Sequence, residues 1–110
     1  MIDARFFTTG GELFGFEIKG HSGYGEQGTD IICASVSSAV YMAANTITDV
    51  LHLKAIIDLN DDGFFKFITD PCKEAQAVLK GLEIHLRALS QDYPENIKVT
   101  SKSDGGAKNA

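Results

Sequence analysis

The sequence predicts a two-layer α+β domain, in which two helices pack on one face of a mixed or antiparallel sheet. Five short segments carry the apolar alternation, or the β-branched and aromatic residues, that are typical of strands. Two longer segments carry the apolar spacing of helices. Along the chain they give the order β-β-α-β-β-α-β. With 110 residues, of which 44% are hydrophobic, the chain can bury one core.

The strands are predicted from alternation and turn signals. Residues 2–9 form the first strand, and the Gly10–Gly11 pair turns the chain into the second. In the second strand, Phe14, Phe16 and Ile18 alternate with polar or small residues. A period of two places these three side chains on one face.

A second hairpin joins residues 55–59 to residues 64–69 across an Asn-Asp-Asp-Gly turn. A last strand begins at Ile97. The final residues are polar and small, with almost nothing to bury, so they are predicted to be disordered. We therefore expect one domain over residues 1–100 and a disordered tail over residues 101–110.

Both helices have recognisable starts. Apolar and small residues of the segment 31–53 lie nearly all round the helical wheel, which predicts a helix covered by the sheet and by a second subunit. Asp30, or the residue before it, is the expected N-cap. The second helix runs to about residue 91, with Asp70 as its cap and Pro71 at its first position. Its apolar residues recur at spacings of three and four, which indicates an amphipathic helix facing a core.

Composition narrows the class of protein. The net charge of −5 argues against direct nucleic-acid binding, because phosphate contacts need clustered Lys and Arg. No apolar run approaches the roughly 20 residues that span a bilayer, and the N-terminus lacks the pattern of a signal peptide. We expect a cytoplasmic protein without membrane contact, whose two cysteines are free thiols.

A histidine and a cysteine flank a loop rich in glycine. His21 ends the second predicted strand, and Cys33 lies in the first turn of the following helix, with eleven residues between them. A strand end can face the start of the next helix across such a loop. His21 would then act as the base of a thiol nucleophile, and the positive end of the helix dipole would favour the Cys33 thiolate.

Each of these residues also has a structural interpretation. Cys33 would serve equally as a small buried hydrophobe, and His21 would bond to a loop carbonyl. Asp30 would orient His21 as the third member of a triad, or simply cap the helix, and its charge would oppose the thiolate. Ser37 lies one turn beyond Cys33 and would bond it or the loop, or be an ordinary helix serine.

Other candidates are weaker. Cys72 begins the second helix with no histidine near it in sequence, so a structural role is expected. His52 lies near the end of the first helix, and His85 flanks the apolar stripe of the second. His21, Cys33 and Cys72 match no compact zinc pattern, and the glycines fit neither a dinucleotide fingerprint nor a Walker A loop. No metal and no cofactor are predicted.

The sequence around His21 and Cys33 resembles the signature of a known family. GH at positions 20–21 and GTDIICASVS at positions 28–37 are similar to the motif of the ribosomal-processing cysteine proteases called Prp. The resemblance extends to the small size, the hairpin before the motif and the long apolar helix after it. Ser22 stands where alanine is common in the family, a departure that touches no expected catalytic atom.

The resemblance implies a homodimeric bacterial α+β protein. Such a protein removes a short N-terminal extension from large-subunit ribosomal protein twenty-seven, cutting after an aromatic pair and before a small residue. The resemblance implies Cys33 as the nucleophile, His21 as its partner, and Asp30 and Ser37 in less defined supporting roles. It also implies a mobile loop that admits the substrate, formed by Ser22, Gly23, Tyr24, Gly25, Glu26, Gln27, Gly28 and Thr29.

Three functions are therefore considered. The leading hypothesis is a cysteine endopeptidase that processes a ribosomal protein precursor. The alternative is a non-catalytic module that binds that protein or the ribosome, with Cys33 and His21 inert. The third is a structural dimerisation domain built on the apolar helix. A catalytic Cys33 should alkylate faster than Cys72 near neutral pH, which separates the first hypothesis from the other two.

Overall fold

The computed structural model describes residues 1–26, 30–60 and 62–103. Its elements, in chain order, are β1 (Ile2–Thr9), β2 (Glu12–Lys19), α1 (Ile31–Asn45), β3 (Ala55–Asn60), β4 (Phe64–Thr69), α2 (Lys73–Asp92) and β5 (Ile97–Ser103). The five strands form one sheet in the order β3-β4-β2-β1-β5. β5 runs parallel to β1, and the other neighbours are antiparallel. The predicted fold class and element order are confirmed.

Both predicted hairpins are present, but a bulge in the first changes the side of the sheet that Phe14 occupies. The register between β1 and β2 shifts just after Phe7, so Phe14 has no partner across the ladder. Its ring packs against Phe7, with centroids 5.9 Å apart, whereas Phe16 and Ile18 join the main core. The prediction that these three residues share one face is wrong because an inserted residue breaks the period of two.

The bulge is also where α2 is fastened to the sheet. The amide of Leu13, the residue before the bulge, donates to Gln76 Oε1 at 2.7 Å. Gln76 Nε2 donates in return to the Leu13 carbonyl. These bonds satisfy backbone groups beside a disrupted part of the ladder, so one side chain sets the position of the helix over the strand.

α2 begins later than predicted. Cys72, not Asp70, is the residue before the first helical turn, and its side chain makes no cap hydrogen bond. The Thr69 hydroxyl donates to the Lys54 carbonyl at 2.9 Å and holds β4 in the sheet to its last residue. Asp70 and Pro71 are then needed to carry the chain from the sheet to the helix layer.

The last strand, β5, forms one edge of the sheet and runs to Ser103. The first three residues of the predicted tail therefore belong to the sheet. Residues 104–110 lie outside the described part of the chain. Glu83 of α2 is buried and accepts hydrogen bonds from Arg87 at 3.0 Å and from the Ser101 hydroxyl at 3.1 Å. Burial raises the pKa of Glu83, but these bonds outweigh it and lower the pKa overall. The ionised carboxylate therefore fastens α2 to β5.

The first helix is shorter than the predicted span of 31–53. α1 continues into a π-helical segment, Thr46–Val50, in which the Leu51 amide bonds to the carbonyl five residues back at 2.9 Å. The hydroxyls of Thr46 and Thr48 donate to carbonyls one turn earlier. Such bonds compete with the α-helical ladder, and these two lie where the helix type changes.

By length and apolar composition alone, Ile31–Val50 would qualify as a membrane-spanning helix. The expectation that no segment approaches this length was therefore wrong. One side of the helix nevertheless packs into the core of the domain, which is how a core helix of a globular protein uses the same composition. The buried residues are Ile32, Val36, Val40, Ala43, Ala44 and Ile47.

The core between the sheet and the helices includes a group of aromatic rings. Phe16 of β2 stacks with Phe65 and Phe67 of β4 at centroid distances of 5.8 and 5.4 Å. Phe6 of β1 lies 6.1 Å away on the other side. Phe65 also meets the ring of Tyr41 of α1 edge-on at 5.5 Å. These contacts fix α1 over the strands whose ends carry the site described next.

Candidate active site

His21 follows the end of β2 and lies against the turn between β3 and β4. The amide of Gly20 donates to the Gly63 carbonyl at 2.8 Å, which joins the strand end to the turn. Gly20 has a φ of 91°, a conformation that glycine adopts without the steric cost of a side chain. The chain bends here, and the exposed imidazole of His21 is left beside Gly63.

Cys33 lies in the first turn of α1, which Asp30 caps. Asp30 Oδ1 accepts from the amides of Ile32 and Cys33 at 2.9 and 3.1 Å, so the expected Asp30 cap is confirmed. The Asp30 carbonyl accepts from the Ala34 amide at 3.1 Å. These three amides are already bonded and are not open to a ligand.

Ser22 connects the thiol, the helix cap and the start of β5. Its side chain is buried, and each of its polar groups has a partner. Its amide donates to Cys33 Sγ at 3.3 Å. Its hydroxyl donates to Asp30 Oδ2 and accepts from the Tyr24 amide. Its carbonyl accepts from Asn96 Nδ2 at 3.0 Å. Hydrogen bonds with Cys33, Asp30 and Asn96 therefore fix the position of the residue next to His21.

These contacts set the charge state of Asp30. Hydrogen bonds lower the pKa of Asp30 from its ordinary 3.8 to about 2, although burial acts in the opposite direction. The bond from the Ser22 hydroxyl contributes most, and the backbone amides of Cys33, Gly25 and Ile32 contribute the rest. Asp30 is consequently a carboxylate at any physiological pH, and its negative charge lies close to the thiol.

Removing the Ser22 hydroxyl should change stability in a defined pH window. Because the folded pKa of Asp30 is depressed, its contribution to stability is complete above the unfolded value of 3.8 and is lost as pH falls through about 2. In Ser22→Ala the folded pKa should rise towards 3.8, so the variant should be less stable than the wild type at pH 6, and the difference should become smaller as pH falls to about 2. Carboxyl-carbon NMR titration of Asp30 and urea unfolding at both pH values measure this. Ser38→Ala, an exposed change in α1, is the control, and an unmoved Asp30 titration would contradict the assignment.

His21 and Cys33 line the same pocket, which has a volume of about 460 Å³. Cys33 is half-buried and free. Among the residues that the structure describes, no hydrogen bond joins the imidazole to the sulfur. Proton transfer between them therefore needs a small movement of the ring or a bridging water.

Asp30 and Ser37 differ in how they enter this site. The carboxylate of Asp30 bonds to the helix amides, to Ser22 and to Gly25, and none of these partners is His21. Ser37 lines the pocket with an exposed side chain. Within the described ranges it makes no hydrogen bond to Cys33. The geometry thus shows Asp30 as a cap, and it gives Ser37 a position on the pocket wall.

The predicted loop is described in part. Gln27, Gly28 and Thr29 lie outside the described residues. Ser22 is buried, and the ring of Tyr24 meets Tyr93, at the end of α2, edge-on at 5.5 Å. Both residues are therefore anchored to the segment that connects α2 to β5.

The weaker candidates do not reach the pocket. Cys72, His52 and His85 are absent from its lining. His52 is exposed, with a φ of 56°. His85 is exposed on α2 and borders a groove between the two helices.

Sequence reasoning missed what three residues around the site do. Ser22 was predicted only as part of the mobile loop, although it makes hydrogen bonds to Cys33, Asp30, Tyr24 and Asn96. Asn96 carried no signal, because its partner is distant in sequence. Gly63 was recognised only as part of a turn, and its contact with His21 depends on a strand order that the sequence does not reveal.

Comparison with known proteins identifies the family. The family model described as cysteine protease Prp matches residues 1–98. The chain belongs to the Prp family of cysteine proteases. The resemblance inferred from the motif and the enzyme class that it implied are both confirmed.

Individual Prp relatives agree with this assignment. The ribosomal processing cysteine protease Prp of Bacillus subtilis is 30% identical over 96 residues, which cover 81% of this chain and 86% of that protein. A crystal structure of Prp from S. aureus in complex with a covalently linked product peptide superposes with a TM-score of 0.87 at 27% identity, covering 93% of this chain and all of that one. A second, with a substrate peptide, gives a TM-score of 0.79 at 26% identity over the same shares.

Proposed function

We propose that this chain is an endopeptidase in which Cys33 is the nucleophile and His21 its base. The observation that carries the proposal is the shared pocket, in which the Ser22 amide donates to the Cys33 sulfur beside His21. The S. aureus relative, whose peptide product is covalently linked, is consistent with a covalent mechanism. The substrate that we propose is the precursor of large-subunit ribosomal protein twenty-seven, cut after an aromatic pair.

The reaction follows from these groups. His21 takes the proton of the Cys33 thiol, and the thiolate attacks the scissile carbonyl carbon to form a tetrahedral intermediate. His21 then gives the proton to the leaving amine, which breaks the peptide bond and leaves an acyl-enzyme. Water, deprotonated by His21, attacks the thioester and releases the new C-terminus with the thiol restored.

Two hydrogen-bond arrangements bear on the charges in this reaction. The Ser22 amide binds the sulfur, and such a bond is stronger to a thiolate than to a thiol. It therefore offsets part of the repulsion from Asp30. The amides of Ile32, Cys33 and Ala34 are bonded to Asp30, so we place the oxyanion donors in the loop that follows Ser22.

We also propose that this loop admits the substrate, with Ser22 as its fixed end. Ser22 and Tyr24 are anchored to the segment between α2 and β5, and the Gly25 amide donates to Asp30. Closure of such a loop uses binding energy from the whole recognition sequence. Short peptides that lack part of the sequence should accordingly be poor substrates.

Cleavage of the extended ribosomal protein tests the proposal. Wild-type protein should produce a single new N-terminus after the aromatic pair, read by intact mass, and Cys33→Ala should produce none because the nucleophile is gone. Cys72→Ser is the matched control, since that thiol lies outside the pocket, and it should cleave normally. No cleavage by folded, reduced wild-type protein would favour the binding module instead. Equal cleavage by Cys33→Ala would mean another nucleophile or a contaminating protease.

We further propose that the protein acts as a homodimer in the cytoplasm. Met42 and Val50 on the first helical segment are 68% and 67% exposed, and Ile84 of α2 is 63% exposed. The groove between α1 and α2 is lined mainly by apolar side chains and has a volume of about 900 Å³. Apolar area of this kind is typical of a surface that another subunit covers.

A further inference from the structure

The turn between β3 and β4 lies against His21 in a contact that the proposed mechanism does not use. Gly63 of this turn lines the same pocket as Cys33. Its carbonyl accepts from the Gly20 amide at 2.8 Å. The turn is therefore bonded to the residue immediately before His21, and its position and that of the imidazole are coupled.

A side chain at position 63 would meet the imidazole. A Cβ built on Gly63 would lie 3.0 Å from Cε1 and 3.1 Å from Nε2 of His21, and 3.0 Å from the Gly20 carbonyl oxygen. Carbon atoms in contact ordinarily stand about 3.5–4.0 Å apart, so the ring would have to move by roughly half an ångström. Nε2 is one of the two ring atoms that can carry a proton, so the displacement affects the atoms that matter for a base.

We propose that Gly63 is a positioning residue for the reaction, because its lack of a side chain leaves room for the imidazole of His21 beside Cys33. The inference rests on the proposed role of His21 as the base. Gly63 acts through His21, and it transfers no proton itself. The β3–β4 turn then positions a catalytic side chain, in addition to connecting the two strands of the hairpin.

A second glycine of the chain separates this role from the ordinary need for glycine in a turn. Gly63 has a φ of 79°, which strains any residue with a Cβ. Gly11, in the turn between β1 and β2, has a φ of 82°. A Cβ at Gly11 would meet nothing within 4 Å. Gly11→Ala therefore reproduces the backbone strain of Gly63→Ala without the contact to His21.

Kinetics on the precursor of ribosomal protein twenty-seven compare the two variants. We expect Gly63→Ala to lower kcat by about 10- to 100-fold, because small misplacements of a catalytic group reach this size, with a smaller change in KM. Gly11→Ala should keep the wild-type kcat and lose only the degrees in Tm that the backbone strain costs. Equal kcat losses in the two variants would overturn the proposal, since strain alone would then explain them.

A second readout does not depend on cleavage. The Cε1–Hε1 resonance of His21, assigned by its absence in His21→Ala, should move in Gly63→Ala and stay in place in Gly11→Ala. If the wild type cleaves nothing, the proposed function fails, and this resonance still decides whether Gly63 positions the ring. An unmoved resonance in Gly63→Ala would overturn the inference even if the protease is active.

A double variant covers the case in which Gly63→Ala folds poorly. If the ring is the cause, adding His21→Ala should remove most of the extra loss in Tm relative to Gly11→Ala, because the two ring atoms nearest the new Cβ are gone. An extra loss that persists in the double variant would assign the effect to the Gly20 carbonyl and overturn a role through His21.

Discussion

Replacing His21 with alanine should lower kcat/KM for precursor cleavage by about 10²- to 10⁴-fold, the contribution that a positioned acid–base group makes. The loss should be greatest in kcat, because His21 handles the proton in both the acylation and the deacylation steps. Binding of the extended recognition sequence should change little. Steady-state kinetics on the ribosomal precursor give kcat and KM separately.

Alkylation isolates the first step of this chemistry from substrate binding. In the wild type, iodoacetamide should modify Cys33 faster than Cys72 near neutral pH, and in His21→Ala the two rates should become similar. His85→Ala is the matched control, because this exposed histidine lies outside the pocket. A His21→Ala variant that alkylates and cleaves like the wild type would remove His21 from the mechanism.

Most of the fold could be predicted because its signals are local. The β3–β4 hairpin follows from an Asn-Asp-Asp-Gly turn between apolar runs, and β4 occupies Phe64–Thr69 as predicted. Asp30 caps α1 because a carboxylate before an apolar run can accept the free amides of the first turn. Such signals need only a few neighbouring residues, and at these two places the tertiary contacts agree with them.

The errors arise where distant contacts override a local pattern. Phe14 leaves the face of Phe16 because of the bulge, whose backbone is satisfied by Gln76 more than sixty residues away. Asp70 and Pro71 form a favourable helix start in isolation, yet the distance from β4 to the helix layer moves the start to Lys73. Strand order is of the same kind, since it depends on contacts that no single segment specifies.

The candidate site likewise contains some residues that the sequence predicts and others whose roles depend on distant contacts. His21 and Cys33 could be found from residue type and spacing, because a loop between a strand and a helix returns to the same end of a domain. The structural roles of Ser22, Gly63 and Asn96 could not be found in this way. Their parts depend on the geometry of three chain segments that meet only after folding, with Asn96 lying 74 residues from Ser22.

The largest loss of stability is expected from Phe16→Ala. The ring of Phe16 is completely buried and contacts Phe6, Phe65 and Phe67. Truncation removes the buried ring and leaves a cavity that three neighbouring rings cannot fill without moving, so the free energy of unfolding should fall by about 3–5 kcal/mol. This is a large part of the roughly 5–15 kcal/mol that stabilises a typical domain.

Urea unfolding measures this loss as a shift of the midpoint, and an unchanged m-value indicates that two-state behaviour is kept. Ile56→Ala is the control, because its side chain is 73% exposed and surface changes stay within about 0.5 kcal/mol. A loss below about 1 kcal/mol for Phe16→Ala would mean that the aromatic stack does not hold α1 and the sheet together. Phe65 both stacks on Phe16 and lines the pocket that contains Cys33, so the aromatic stack of the core also forms part of the pocket wall.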